Sequence, residues 1–430
     1  MKLLSAFITI LFTLLLMGCD KKSDQITNAD EYDSFLVSND NKKTDFALKE
    51  IEFWQNKFDK APNQTSYLNK IAANYSVLFE QTGDIQALYK AEQLLIKSNL
   101  QLNYTDASSL RTLAKNYITQ HRFKEALDLA NKAFKTGDKI NETHKLLFDV
   151  QMELGNYELA KKSLVAISDS NDFDYLIRLA KWNDHKGDLE AAIAMMEKAS
   201  AIVEKFDNKY LLSWTHSNLG DMYGHAGNIE ESYKHYIKTL KIDPNNSFAL
   251  KGLAWIAFSH EKNTSEAKRI IDVVSKKHNS PDFYLLKAEI AEYEKDFASQ
   301  EIYLKKYFNT LKSKNYGVMY NKYNGFLYAD DNNTLNKTLV IAKEEIANRP
   351  TPQSYDLLAW YYYKKGDVKQ ALKIANEHIV NKSFEPEVLY HLACIYKANN
   401  EINQIKSIKK ELQASVYELG PNMVTKIDRL

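Results

Sequence analysis

The chain is 430 residues long and carries 57 Lys and Arg against 56 Asp and Glu, a formal charge of +1. That balance excludes a protein held to nucleic acid by an overall positive field, because phosphate binding draws on a cationic surface. Gly and Pro number only 13 and 7, against 27 Tyr and a 12% aromatic fraction, which excludes loop-rich classes and favours helix after helix joined by short turns.

Residues 1–18 hold Lys2, an apolar run to Met17 and a small residue, the pattern of a secretory signal too short to span a membrane. The stretch Leu16-Met17-Gly18-Cys19 resembles a bacterial lipobox. That resemblance implies lipidation of Cys19 on both its sulfur and its new amine, and two or more acyl chains give stable anchoring. A plain signal peptide with an incidental Cys is the alternative. The one other cysteine is Cys394, so no disulfide is expected. Residues 19–43 are rich in Asp, Asn, Lys and Ser and read as a flexible tether. Asp20 would mark inner-membrane retention under the proteobacterial sorting rule. The bias toward Lys, Asn, Tyr and Ile is instead similar to that of Bacteroidetes lipoproteins, which implies the outer membrane, with its periplasmic or surface face left open.

Residues 44–64 read as an entry helix, with Phe46, Leu48, Ile51, Trp54 and Phe58 three to four residues apart. Repeats then fill 65–418. Leu113, Ala114, Tyr117, Phe123, Ala126, Ala130 and Ala133 have counterparts 34 residues on at Leu147, Phe148, Gln151, Tyr157, Ala160, Leu164 and Ile167. The same step links Leu358, Ala359 and Tyr362 to Leu392, Ala393 and Tyr396. Between them, Leu219, Gly220 and Tyr223, a Gly227-Asn228 turn, then Ser232, Tyr236 and Pro244 make the clearest single unit. This pattern resembles the tetratricopeptide repeat, whose period is about 34 residues. The resemblance implies an all-α, right-handed superhelical solenoid of about ten helix pairs. Residues 308–350 are the least regular stretch, and 419–430 read as a C-terminal cap or tail.

The sequence holds no Gly-rich phosphate loop, G-x-S-x-G, H-E-x-x-H or C-x-x-C, so no enzyme and no cofactor are expected. In the family it resembles, the first helix of each pair lines a concave groove. Projection from that frame puts Arg111, Lys115, Lys145, Lys181, Trp214, Lys251, Trp255, Phe258, Trp360 and Tyr363 in the groove. A basic N-terminal stretch beside central aromatics suits a peptide with acidic and apolar residues. Asp184, His185, Asp221 and His225 fall at facing turns and form a candidate metal set. The expectation is a lipid-anchored, non-enzymatic scaffold for a protein or peptide ligand, with membrane contact through the lipid and no nucleic acid. A glycan-binding surface lipoprotein is the second reading, and a metal-dependent enzyme or metal-binding protein the third.

Overall fold

The computed structural model describes residues 25–38 and 41–430, and among these every regular element is helical. Residues 1–18, read above as a secretory signal, and Cys19 lie outside the described residues. Helix Lys42–Lys60 leads into ten antiparallel helix pairs. Repeats 1 to 5 are Thr65–Thr82 with Ile85–Gln101, Ala107–Thr119 with Phe123–Thr136, Ile140–Glu153 with Tyr157–Ala166, Phe173–His185 with Leu189–Glu204, and Lys209–His225 with Ile229–Ile242. Repeats 6 to 10 are Ser247–Trp255 with Thr264–Lys277, Asp282–Tyr293 with Phe297–Lys314, Asn321–Ala329 with Leu335–Asn348, Pro352–Lys364 with Val368–His378, and Pro386–Ala398 with Ile402–Ala414. Two short helices, Val416–Leu419 and Met423–Asp428, close the chain.

Local chemistry sets the helix ends. Asp84, Asp106, Asp188, Asn228, Asn263, Asp296 and Asp367 each accept a hydrogen bond from a backbone N–H in the first turn of the helix they open. Such a cap stabilises by about 1 kcal/mol. In nine of the ten pairs the turn contains one left-handed residue, supplied by Gly83, Gly155, Gly187, Gly227 and Gly366, and by His121, Lys262, Lys295 and Asn400; the turn of repeat 8 does without one. Alanines hold the two helices close: Ala114, Ala126, Ala254, Ala267, Ala359 and Ala371 are fully buried. Repeats 5 and 6 approach closest around Tyr236. A Cβ built on Gly220 would lie 2.7 Å from its ring, and one on Gly252 only 2.3 Å away, so the ring fits because both glycines lack one.

The array also rests on itself one superhelical turn later. The Asn279 amide donates to the Thr82 carbonyl at 2.7 Å, and the Tyr89 hydroxyl donates to the Asn315 carbonyl at 2.6 Å. Asn348 Nδ2 donates to the His121 carbonyl, Arg349 reaches Glu153 at 3.7 Å, and the Phe384 ring packs on Gly187. The turns of repeats 1 to 4 thus sit on loops of repeats 6 to 10.

Part of the stretch read as a flexible tether is a packed strap. Ile26 and Thr27 amides donate to the Glu261 carboxylate at 2.8 and 2.6 Å, and Asn28 caps helix Ala29–Leu36. Tyr32 and Leu36, one turn apart, are buried with Ile229, Tyr233 and Ile270 of repeats 5 and 6. Tyr32 donates to Glu266 at 2.5 Å, and Arg269 pairs with Asp33. A short amphipathic helix with two large apolar residues suffices here because repeats 5 and 6 supply the rest of its hydrophobic surface.

Candidate functional site

The first helices of repeats 5 to 10 surround a cavity of about 830 Å³. The C-terminal segment crosses this space and forms one of its walls. The Tyr417 carbonyl accepts from Trp255 Nε1 at 3.0 Å and from Ser259 Oγ at 2.6 Å, and Asn422 Nδ2 donates to the Glu289 carbonyl at 2.9 Å. The segment expected to cap the last repeat therefore does two jobs: Met423 and Leu430 pack on repeat 10, while Tyr417 to Asn422 reach back to repeats 6 and 7.

One wall of the cavity is aromatic. Trp360 stacks on Tyr363 with ring centroids 4.8 Å apart and on His391 at 4.0 Å, and Tyr390 lies 6.4 Å from it. His391 Nδ1 is 2.8 Å from a carboxylate oxygen of buried Asp356, whose other oxygen has no partner. Burial raises Asp356 above the usual carboxylate range, against the pull of His391. Cys394, one turn after His391, also lines the cavity. Burial pushes its thiol up, so it is not poised as a thiolate nucleophile.

Seven carboxylates but four lysines line the cavity, an excess of three negative charges when all are ionised. Each lysine already has a partner. Lys251 is 3.7 Å from Asp282, Lys322 2.9 Å from Glu387, Lys364 3.0 Å from Asp330 and Lys426 3.6 Å from Glu292. Burial opposes the charges of Lys322 and Glu387, but their mutual attraction outweighs it: the lysine is held above its ordinary value and the carboxylate below. Asp221 and Glu418 share only His225, at 3.9 and 4.0 Å. Among the described residues Glu289 has no ion pair and no side-chain hydrogen bond, and burial followed by repulsion from Glu292 pushes its pKa up to about 8.

The projected groove residues divide. Lys251, Trp255, Trp360 and Tyr363 meet in this cavity. Trp214 lies apart, against Phe173 and in a smaller cavity of about 270 Å³. Phe258 is not in the groove: it is fully buried in the core. A single π-helical turn, Ile256–His260, widens the helix just after Trp255 and swings position 258 inward. The basic stretch is largely neutralised within the protein. Arg111 is buried, donating to the Asp138 carbonyl and to Thr143 Oγ1, both at 3.0 Å. Lys145 pairs with Asp174 at 2.7 Å and Glu142 at 3.0 Å, and Lys181 with Glu153 at 2.8 Å; Lys115 alone of the four is exposed with no ion pair to the described residues.

Of the four candidate metal ligands, Asp184 lies close enough to Asp221 and His225 to feel both charges, but the set is not completed. His185 turns away to stack on Tyr157 at 4.0 Å, and its place near Asp221 and His225 is taken by Glu418. Among the described residues no group of three or more His, Cys, Asp or Glu is arranged to hold a metal ion. No described helix is long and apolar enough to cross a membrane.

Sequence reasoning missed Glu289, Tyr323 and Tyr390. The signal was present, since Glu289 and Tyr323 stand 34 and twice 34 residues after Trp255. Repeat 7 keeps the small residues Ala288 and Ala291, 34 after Ala254 and Ala257, so its register was available; in repeat 8 Lys322 stands where the next alanine would be.

No curated protein matches the chain. Among solved structures, a human IFIT1 dimer with PPP-AAAA is 14% identical over 76% of this chain and 76% of that one, with a TM-score of 0.46. A Rap protein complexed with competence and sporulation factor is 11% identical, covering 60% and 80%, at 0.45. YrrB, described as a TPR protein with an unusual peptide-binding site, is 18% identical, covering 46% and 95%, at 0.27. The fold rests on the chain's own helices and not on these likenesses. The family model for the tetratricopeptide repeat matches residues 172–245, which hold repeats 4 and 5, and the other helix pairs of the array are laid out in the same way.

Proposed function

We propose that the protein is a lipid-anchored, non-enzymatic scaffold that takes a peptide segment of a partner protein into the open cavity of repeats 5 to 10. The observation that carries this reading is the cavity itself: about 830 Å³, walled by first helices, with aromatic faces and fixed charges at separate points along its length. A rigid stack of repeats holds those groups at set spacings, so each repeat adds a few contacts to one extended ligand. The excess of carboxylates disfavours a polyphosphate chain there, which supports a protein ligand over nucleic acid. The anchor is Cys19, acylated at the outer membrane.

Photo-crosslinking in intact cells tests both halves. A benzophenone side chain in place of Tyr323, which lines the cavity and is 49% exposed, is expected to capture a partner that the same group at Lys115 does not. Recovery of the same proteins from both positions rejects the cavity as the binding surface. Cys19→Ala is expected to move the protein out of the membrane fraction, and retention there rejects the lipid anchor.

A further inference from the structure

The imidazole of His391 is held on three sides. Trp360 stacks on it at 4.0 Å with 27° between the planes, and Phe326 lies 4.9 Å away at 39°. Nδ1 is fixed 2.8 Å from a carboxylate oxygen of Asp356. The remaining edge carries Nε2, which has no hydrogen-bond or ion-pair partner among the described residues. Nε2 is not shut off from solvent, so this edge opens onto the cavity that His391 lines. Asp356 is 1% exposed and its second oxygen is buried without a partner, so the pair is not built for stability alone. Burial and Glu387 oppose the charge of Asp356, while His391 and Lys322 favour it. With Asp356 ionised, Nδ1 is the donor and Nε2 is left as a bare acceptor turned to the cavity.

The surroundings narrow what can meet that acceptor. The four lysines of the cavity are each met by a carboxylate, which leaves no free cation for an anionic group. The Tyr363 and Tyr390 hydroxyls are engaged with the Cys394 thiol. Beside His391 the wall is aromatic: Phe326 is in ring contact with it, and Tyr323, one turn earlier, is 49% exposed. A flat apolar group with a neutral donor at its tip suits both the wall and the acceptor. We propose that His391, oriented by Asp356, accepts a hydrogen bond from the phenol of a tyrosine in the bound peptide, with the tyrosine ring against Phe326 and Tyr323. The inference rests on the peptide-scaffold reading and names the side chain that the cavity reads. A phenylalanine in the same place leaves Nε2 covered and unpartnered, so the hydroxyl alone decides between the two. Asp356 is a positioning residue, acting only through the tautomer of His391.

The test is equilibrium binding of two octapeptide pools, random except for a central Tyr or a central Phe, to the full-length protein, with N-acetyl-tyrosinamide as a small probe. The Tyr pool is expected to bind about tenfold more tightly. His391→Phe, which keeps a ring against Trp360, is expected to bring the two pools level, and circular dichroism checks that it is folded. Nitrogen-15 NMR of labelled histidine gives a readout that a merely structural pair would not move. The wild-type His391 ring is expected to carry its proton on Nδ1, with the Nε2 signal shifting on addition of N-acetyl-tyrosinamide. In Asp356→Asn, whose amide can donate to Nδ1, the proton is expected on Nε2 and the Tyr preference is expected to fall. Equal binding of the two pools to the wild type overturns the inference and leaves the scaffold reading standing. A Tyr preference that survives in folded His391→Phe does the same, as does a wild-type ring with its proton on Nε2. Binding of N-acetyl-tyrosinamide at His391 with neither pool bound upholds the phenol site and removes the peptide reading. Binding of neither pool and no N-acetyl-tyrosinamide overturns both.

Discussion

Repeats 2 to 4 and repeats 5 to 10 use charge in opposite ways. In the first group, basic side chains that project toward the concave side are taken up by neighbours one repeat away: Lys145 by Asp174, Arg178 by Asp149 at 2.7 Å, Lys181 by Glu153. They act as rivets between repeats. In the second group the four lysines of the cavity are matched and the surplus is acidic, turned toward that cavity. A cationic residue in a groove position therefore predicts an anionic ligand only when no carboxylate stands one repeat along. The 29-residue separations of the Lys145–Asp174 and Arg178–Asp149 pairs show how regularly this array places one.

The contrast can be broken with three substitutions. Arg111→Ala is expected to have the largest effect, a loss of about 3 kcal/mol in urea unfolding, because it strands the Asp138 carbonyl and Thr143 hydroxyl and empties a buried site. If the basic stretch were a binding surface and not a rivet, stability would hardly move. Glu289→Gln is expected to act in the other direction. A carboxyl with its pKa raised to about 8 keeps its proton in the fold where the unfolded chain has lost it, so the fold loses stability as pH climbs from about 4 to 8. Removing the acid is expected to raise stability by about 1–2 kcal/mol at pH 8 and to leave it unchanged at pH 4. Thermal melts at the two pH values check this, and an equal shift at both would show that ionisation is not the cause. Lys115→Glu is expected to change stability by less than about 0.5 kcal/mol, since the side chain is exposed. A larger loss in the same melts would mean that repeat 2 uses it structurally.

The helix pairs were legible because a period of 34 and a column of alanines state where two helices touch. Tyr236 shows how far that goes: its glycine partners Gly220 and Gly252 lie on the first helices of successive repeats. The closure of the array on itself was not legible. It sums small rotations over several repeats, and no single residue carries the signal, although it decides that His278 sits on Gly83 and Phe384 on Gly187. The cavity was half legible. Trp255, Trp360 and Tyr363 were placed on its wall by the repeat frame, but Phe258 was lost to one π turn, and Tyr417 and Gly420 arrive from a tail outside the frame. Residues 26–36 were misread because polar composition hides a helix whose hydrophobic surface is supplied by others.

The strap has a mechanical consequence. Ile26 is fastened at Glu261 of repeat 6, near the middle of the array, and stands only seven positions after Cys19. Seven residues reach at most about 25 Å when fully extended. On the proposed acylation, the bilayer surface is therefore leashed to the waist of the solenoid and not to its first repeat. Helix Lys42–Lys60 and repeat 1 are then free of any duty as a stalk, and tension on the lipid pulls at the Glu261 junction before it reaches either end of the array.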